Sequence, residues 1–179
     1  MSPKVAALLE ALSSMRTKDG QAAKCVVFSQ FTSFLDVIQE ALSQRGWASA
    51  RLDGSMAPAQ RSAALDRWRK PNADGGPAIL LASTRAGGVG LNLTSGSWVF
   101  MMEPWWAGAA EEQAWDRCHR LGQTQPVTVV RFVAERSVEV KMLELQAAKA
   151  ALGRGALTKL SPEEQRAARA ADLRRMFEL

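Results

Sequence analysis

Arg117 and Arg120 have the residue type and the spacing that phosphate chemistry needs. The surrounding pattern predicts a helix from 109 to 121, and residues three apart on a helix share one face. Two guanidinium groups on one face can clamp a phosphoryl group and stabilise the charge that develops during its transfer, as arginine fingers do. The alternative is a pair of solvated surface arginines, which is the commoner case for two arginines taken at random.

A second candidate phosphate site is rich in glycine: residues 83–93 read S-T-R-A-G-G-V-G-L-N-L. Gly87, Gly88 and Gly90 would expose backbone N–H groups and permit positive φ, and such loops cradle phosphate oxygens. Because no Lys-Ser or Lys-Thr pair follows the glycines, the segment is not a P-loop. A flexible loop is the alternative, but the composition of the run does not favour it.

Two further polar segments follow predicted strands, at 29–31 and at 53–55. In an open α/β sheet, ligands bind beyond the carboxyl ends of the strands. Gly54 would let a ligand approach the backbone closely, and the helix that follows, with Arg61 near its start, offers donors suited to phosphate. The alternative is a pair of capped turns. For segment 29–31, a capped turn and a ligand site are about equally expected. For segment 53–55, a capped turn is the commoner case.

Strand-like and helix-like patterns alternate along the chain and predict the elements that would position these segments. Strands are expected at 24–29, 47–52, 78–82, 98–102 and 127–133, with helical patterns between them and a helix at 138–152. Strands that are apolar on both faces and separated by helices predict a doubly wound α/β domain with a mostly parallel sheet. A hinge at 153–155 and a capping box at 161–164 predict a separate helical extension. We therefore divide the chain into a lobe at 1–152 and an extension at 153–179.

The composition narrows the class of protein further. With 179 residues, 47% of them hydrophobic, the chain suits one globular domain, and a net charge of +5 is compatible with a polyanionic partner. Cys25, Cys118 and the single His119 are too few and too far apart for a disulfide framework or a zinc cluster. We find no apolar run long enough to span a membrane and no signal peptide, so we expect an intracellular protein without a membrane partner.

The order and spacing of the four polar segments resemble the C-terminal lobe of superfamily-two helicases, and most closely the SWI/SNF family of double-stranded DNA translocases. The resemblance covers residues 24 to 149 and rests on S-Q-F, L-D-G-S, S-T-R-A-G-G-V-G-L-N-L and D-R-C-H-R-L-G-Q. The string E-P-W-W and the closing D-L-R-R-M-F-E-L look most like the branch that contains the helicase-like transcription factor and its post-replication-repair relatives.

This resemblance implies a RecA-like fold and a role for each matching residue. Arg117 and Arg120 would be arginine fingers that reach into ATP, and Gln113 would help align the interface with the other lobe. Gly88 and Gly90 would lie near the nucleotide. The residues implied to face DNA are Gln30, Gly54, Arg61 and Thr84 at the phosphates of the tracked strand and Trp106 at the DNA edge of the lobe.

The chain departs from the family pattern at three positions. The family usually has Asp at position 103 and Asn-Pro at 107 and 108, where this chain has Glu103, Ala107 and Gly108. Glu103 keeps the charge on a longer side chain. Ala107 and Gly108 lack the polar contact and the rigid turn that Asn-Pro would give.

The sequence also lacks the motifs of a first motor lobe, since it contains no G-x-x-x-x-G-K-[ST] and no D-E-x-H. ATP and Mg²⁺ would therefore be held mainly by an absent first lobe, and residues 137–149, with Glu139 and Gln146, resemble the helical brace that crosses back toward it. We expect the chain alone neither to bind ATP tightly nor to hydrolyse it, and to be a fragment or a split gene product.

The function implied is that of a second motor lobe of an ATP-dependent double-stranded DNA translocase or chromatin remodeller. Its partners would be duplex DNA, nucleosomes and the N-terminal ATPase lobe in cis or in trans, and the resemblance implies a nuclear location. The alternative is a non-catalytic regulatory module that docks on DNA or on a motor, but pure docking does not need arginine fingers. A metabolic dinucleotide enzyme is disfavoured because no G-x-G-x-x-G follows the first strand.

Overall fold

In the computed structural model, which describes residues 2–15, 22–84, 86, 90–153, 163, 166 and 170–172, short aliphatic and aromatic runs form five strands of one sheet. The strands are β1 (Cys25–Ser29), β2 (Ser49–Leu52), β3 (Ile79–Ser83), β4 (Trp98–Met101) and β5 (Thr128–Arg131). They pair in the order β2-β3-β1-β4-β5, and every pair is parallel. The predicted parallel α/β architecture is confirmed.

Helices cover both faces of this sheet. They are α1 (Pro3–Ser14), α2 (Thr32–Ser43), α3 (Pro58–Arg69), α4 (Gly108–Trp115) and α5 (Val138–Gly153), with a 3₁₀ turn at Asn72–Asp74. None of the helices in the described ranges is long and apolar enough to cross a membrane.

The central strand β1 has buried side chains on both faces, because successive residues of a strand point to opposite sides. Cys25 and Val27 pack with α1 and α2 in one apolar cluster, whereas Val26 and Phe28 pack with α3 and α4 in another. Trp68 of α3 is fully buried in the second cluster. Two cores on the two faces of one sheet make the fold doubly wound, as predicted.

Ser55 does not cap α3. The helix begins at Pro58, with Ala57 at the N-cap position, and the Gln60 side chain accepts a hydrogen bond from the Ala57 N–H at 3.0 Å. Ser55 instead donates from its N–H and its hydroxyl to Asp53 Oδ1. A short polar side chain that satisfies a local turn competes with capping, and here the turn wins.

The prediction of one helix from 109 to 121 is wrong, since α4 ends at Trp115 and residues 116–120 form turns. The carbonyl groups beyond α4 have other partners: Arg117 O accepts from Leu93 N at 2.9 Å, and Cys118 O accepts from Gln123 Nε2 at 3.1 Å. Bonds to neighbouring loops therefore replace the helical ladder. Gly122, with φ of 99°, then lets the chain turn away.

Residues 161, 162 and 164 of the predicted capping box and residues 154–155 of the predicted hinge lie outside the described residues. Within the described part of the extension, Asp172 is buried and its carboxylate pairs with Lys149 of α5.

We predict that Ala107→Asn stabilises the protein. Ala107 is the N-cap of α4, has extended backbone angles (φ −116°, ψ 112°) and offers no capping side chain. An Asn side chain can accept from the free N–H groups of the first turn, so the free energy of unfolding should rise by about 0.5–2 kcal/mol in urea denaturation. The control is Ala109→Asn, an exposed site inside the same helix, which should not stabilise. Equal effects at the two positions would contradict the capping argument.

Candidate functional site

The polar segments predicted from the sequence meet at one edge of the sheet. Because the strands are parallel, their carboxyl ends lie together, and Ser29 at the end of β1 is in register with Ser83 at the end of β3. Gln30 follows β1, Gly54 follows β2 and Thr84 follows β3. The structure thus places three of the residues predicted to contact DNA along this edge.

Glu103, which follows β4, is a buried carboxylate that anchors the start of the segment after β1. It accepts hydrogen bonds from Ser29 Oγ at 2.8 Å and from the Gln30 N–H at 3.1 Å. Burial raises the pKa of Glu103, although both hydrogen bonds act to lower it. The Gln30 side chain donates to Pro104 O at 3.2 Å. The departure from Asp at this position therefore lies inside the fold, where the longer side chain orients Gln30.

Asp53 organises the turn after β2 in a similar way. Its Oδ1 accepts from Ser55 N at 3.0 Å and Ser55 Oγ at 2.5 Å, and its Oδ2 accepts from Arg51 Nε at 2.7 Å. The bond from the Ser55 hydroxyl, followed by the bond from Arg51, lowers the pKa of Asp53. Gly54 at the tip is exposed, and a Cβ there would meet no atom within 4 Å. Nothing in the described chain therefore requires glycine at this position.

Arg61, on the first turns of α3, lies against the same turn. Its Nε donates to Met56 O at 3.0 Å and its NH2 donates to Gly54 O at 3.1 Å. These bonds use part of the guanidinium group, which has five N–H donors in total. The prediction from the sequence that Arg61 lies beside Gly54 agrees with the geometry. The other N–H donors of the Arg61 guanidinium remain for an external acceptor.

Arg51 is a residue that the sequence analysis missed. It bonds to Asp53 and also donates to Asp36 Oδ1 at 2.6 Å and to Thr32 O at 3.2 Å, so it ties the turn after β2 to the first turns of α2. The signal was an arginine at an outward position of β2, two residues before Asp53. Its partners on α2 are distant in sequence and could not be read from it.

Thr84 is placed differently from the prediction of a phosphate-facing side chain. It is buried, and both its N–H and its hydroxyl donate to Ser29 O, at 3.1 and 3.4 Å. In the glycine-rich segment, Gly90 is exposed with φ of 44°, and a Cβ there would meet no atom within 4 Å. Gly87 and Gly88 lie outside the described residues.

Residues 113–120, which we call the arginine segment, line an open cavity of about 450 Å³, the arginine cavity. Its walls are formed by Gln113, Asp116, Arg117, His119 and Arg120. Although the helix is shorter than predicted, the turns after α4 still bring Arg117 and Arg120 to one cavity together with Gln113. Among the described residues neither guanidinium has a hydrogen-bond or ion-pair partner, and Arg117 Nε is buried without an acceptor. The unpaired Arg117 Nε and the exposed Arg120 therefore leave donors at this cavity that an anion could bind.

Gln123, the last residue of H-R-L-G-Q, is a second residue whose role the sequence left open. Its Nε2 donates to Thr94 O at 3.1 Å, Gly96 O at 2.9 Å and Cys118 O. It therefore ties the arginine segment to the loop that precedes β4. Three backbone acceptors around one amide give this glutamine a structural role.

Trp106 is half-buried and lies in the loop after β4, just before α4. The ammonium group of Lys149 lies 5.5 Å from the centre of its ring, a cation–π distance, and Trp106 Nε1 is buried with no partner. The ring of this loop residue thus lies against helix α5.

The described residues offer no ligand set for a metal ion, since no three His, Cys, Asp or Glu among them come close enough together. Cys25 and Cys118 are free and buried, and burial raises the pKa of both thiols.

We predict that Asp53→Asn destabilises the protein in a pH-dependent way. An amide can replace only part of the carboxylate, because its Nδ2 would oppose the Arg51 Nε donor, and the cost near pH 7 should be about 1–3 kcal/mol. A carboxyl group whose pKa is lower in the folded chain stabilises the fold above its unfolded-state pKa of about 3.9, and this contribution is lost as the pH falls further. In urea unfolding, the free energies of unfolding of wild type and Asp53→Asn should converge below about pH 4. A difference that stays constant with pH would contradict the stabilising role of the ionised Asp53 carboxylate.

Comparison with known proteins agrees with this geometry. A family model described as the helicase conserved C-terminal domain matches residues 3–122. The chain is 44% identical over 180 residues to the helicase-like transcription factor of Mus musculus, an alignment that covers 99% of this chain and 18% of that protein. It is 47% identical over 158 residues to the DNA repair protein RAD5 of Cryptococcus neoformans, covering 88% of this chain and 13% of that protein.

A third relative and a solved structure extend the comparison. The ATP-dependent helicase rhp16 of Schizosaccharomyces pombe is 47% identical over 149 residues, covering 83% of this chain and 17% of that protein. The crystal structure of the C-terminal part of the Fun30 ATPase domain superposes with a TM-score of 0.74 at 29% identity, over 92% of this chain and 48% of that chain. The chain thus spans less than a fifth of the curated relatives' length. It belongs to the helicase conserved C-terminal domain family and has a RecA-like lobe of the SWI/SNF type.

Proposed function

We propose that this chain is the second motor lobe of an ATP-driven translocase on double-stranded DNA, and that it contributes arginines to an ATP site whose other half lies in a first lobe. The observation that carries the proposal is the pair of guanidinium groups, Arg117 and Arg120, which line an open cavity without a partner among the described residues. An interior contact would satisfy such groups. Their lack of one supports a role toward an external phosphate.

The donor set at this cavity fits the phosphate end of ATP. A phosphate oxygen would supply the acceptor that Arg117 Nε lacks, and Arg120 is exposed enough to reach a ligand held by another lobe. Bound ATP supplies a phosphoryl group, and these side chains would stabilise the negative charge that develops on its oxygens. Gln113 would align the two lobes, and Gly88 and Gly90 are assigned a place near the nucleotide. Mg²⁺ would be held mainly by the first lobe, as would most of the ATP, so the chain alone would be inactive.

The edge formed by the strand ends is the proposed DNA surface. Gly54 has no internal reason to be glycine, which is expected where a phosphate backbone approaches closely, and Arg61 keeps free donors beside it. Gln30 and Trp106 complete the surface. Thr84 is buried, so we assign it the support of the Ser29 backbone rather than a direct phosphate contact.

The wider setting follows from this assignment. Duplex DNA is the proposed substrate, with nucleosomal DNA as a further one, and the first lobe would be supplied in cis or in trans. Residues 1–152 would form the lobe with its brace and residues 153–179 a helical extension. A nuclear location would go with a role in remodelling or repair.

We predict that a first lobe restores DNA-stimulated ATP turnover to this chain and that Arg120→Ala or Arg117→Ala abolishes it. Turnover should fall by about 10³-fold or more, the range that an arginine finger contributes. The matched control is Arg67→Ala, which removes an exposed arginine of α3 without touching the cavity. Lobes that bind each other without turnover, or turnover that survives loss of both arginines, would favour a docking module instead.

We predict that duplex DNA binding by the chain is independent of sequence and steeply dependent on salt. Contacts to phosphates carry no sequence information, and each one releases counterions. Arg61→Gln should weaken binding and reduce the slope of log affinity against log salt by about 0.9, in fluorescence anisotropy titrations at several salt concentrations. The exposed Arg67→Gln on the same helix is the control and should leave both values near wild type. Equal slopes for Arg61→Gln and wild type would remove Arg61 from the surface.

A further inference from the structure

A single buried carboxylate, that of Glu111, joins four segments of the chain. Its side chain is fully buried although it lies in the first turn of α4. Oε1 accepts from the Trp105 N–H at 2.5 Å and from Gln146 Nε2 at 2.8 Å. Oε2 forms an ion pair with Arg131 Nε at 3.1 Å, although the geometry is not that of a hydrogen bond. These partners belong to the loop after β4, to α5 and to β5.

Helix α5 is connected to the loop after β4 in two ways, through the Glu111 carboxylate and by a direct hydrogen bond. Gln146 Nε2 also donates to Trp105 O, so one glutamine contacts both the loop backbone and the carboxylate. A Cβ at Gly108 would lie 3.7 Å from the Gln146 side chain, which shows how closely α5 approaches the start of α4. Any displacement of α5 along α4 would have to break this group of bonds.

The charge of Glu111 requires partners, because its carboxylate is buried. A carboxylate removed from water needs a charged or hydrogen-bonded partner for every oxygen. Arg131 is the one cation paired with it among the described residues, and the Arg131 guanidinium lies 5.0 Å from the centre of the Trp115 ring at the other end of α4. Both ends of α4 are therefore held by groups that meet at Glu111.

The position of Glu111 on α4 links this interior group to the cavity. Gln113 follows two residues later, which on a helix is a rotation of about 200°. Glu111 thus points into the protein while Gln113 is exposed and lines the arginine cavity. A change in the position of α5 would reach the cavity through α4 as a rigid element.

We infer that Glu111 is a positioning residue that couples helix α5 to the loop of Trp105 and Trp106 and to the arginine cavity. The inference rests on the proposed function, because the loop is its DNA-facing part and the cavity its ATP-facing part. DNA bound at the loop alters the mobility of α5 through Glu111 and Gln146, and the nucleotide cavity is aligned through the same carboxylate. The connection is a continuous set of contacts between two sites, which is the physical requirement for such coupling.

The test is hydrogen–deuterium exchange of the full chain, with and without saturating duplex DNA. In the wild type, DNA should slow exchange of the α5 amides by at least about threefold, and in Glu111→Gln this change should be lost. The Gln side chain has the same shape but presents an N–H group to Arg131 or to Trp105. Glu112→Gln changes the neighbouring exposed glutamate of α4 and should behave as wild type. Gln146→Ala removes the same connection from the α5 side and should reproduce the loss, which guards against a folding defect in the first variant.

The outcomes separate the two proposals. A wild type that binds DNA and slows α5 exchange, together with a Glu111→Gln variant that binds DNA and slows it equally, overturns the inference and leaves the proposed function intact. A wild-type chain with no affinity for DNA, and no turnover when a first lobe is added, overturns both. A simple loss of stability in Glu111→Gln would speed exchange throughout the sheet and in α5 alike, with and without DNA, and would also overturn the inference.

Discussion

Buried carboxylates that hold neighbouring segments together are the constraint on which this lobe depends. Asp53, Glu103 and Glu111 are almost wholly removed from water, and each must find a donor for its oxygens. They find these donors in backbone N–H groups and side chains of neighbouring segments, and in doing so they fix turns that the sheet alone would leave free. These carboxylates therefore fix the backbone of the segments that form the surface proposed for DNA.

The arginine cavity, in contrast to these carboxylates, contains side chains that lack a partner among the described residues. Elsewhere in the described chain, arginines such as Arg51 and Arg131 have carboxylate partners, whereas Arg117 and Arg120 have none. Arg117 Nε is buried without an acceptor, and this unsatisfied donor supports the phosphate role that we propose for the cavity.

The sequence pattern predicted the five strands and the two-sided sheet because continuous apolar runs such as C-V-V-F-S indicate strands that are buried on both faces. It also placed Gln30, Gly54 and Thr84 at one sheet edge, since parallel strands end together. It failed where a local hydrogen bond competed with a regular element. Ser55 satisfies Asp53 instead of capping α3, and the Arg117 carbonyl serves Leu93 instead of extending α4. The bonds of Arg51, Glu111 and Gln123 join segments far apart in sequence, and no single-chain pattern reports such contacts.

The central claim is that Arg117 and Arg120 complete an ATP site on a first lobe, and a transition-state mimic tests it most directly. ADP with aluminium fluoride imitates the transferring phosphoryl group, and arginine fingers bind that state more tightly than the ground state. Size-exclusion chromatography of this chain mixed with the first lobe and duplex DNA should show a complex that ADP–aluminium fluoride stabilises strongly over ADP alone. The Arg117→Ala/Arg120→Ala chain should lose that difference. A complex equally stable with either nucleotide, or unchanged in the double variant, would contradict the account.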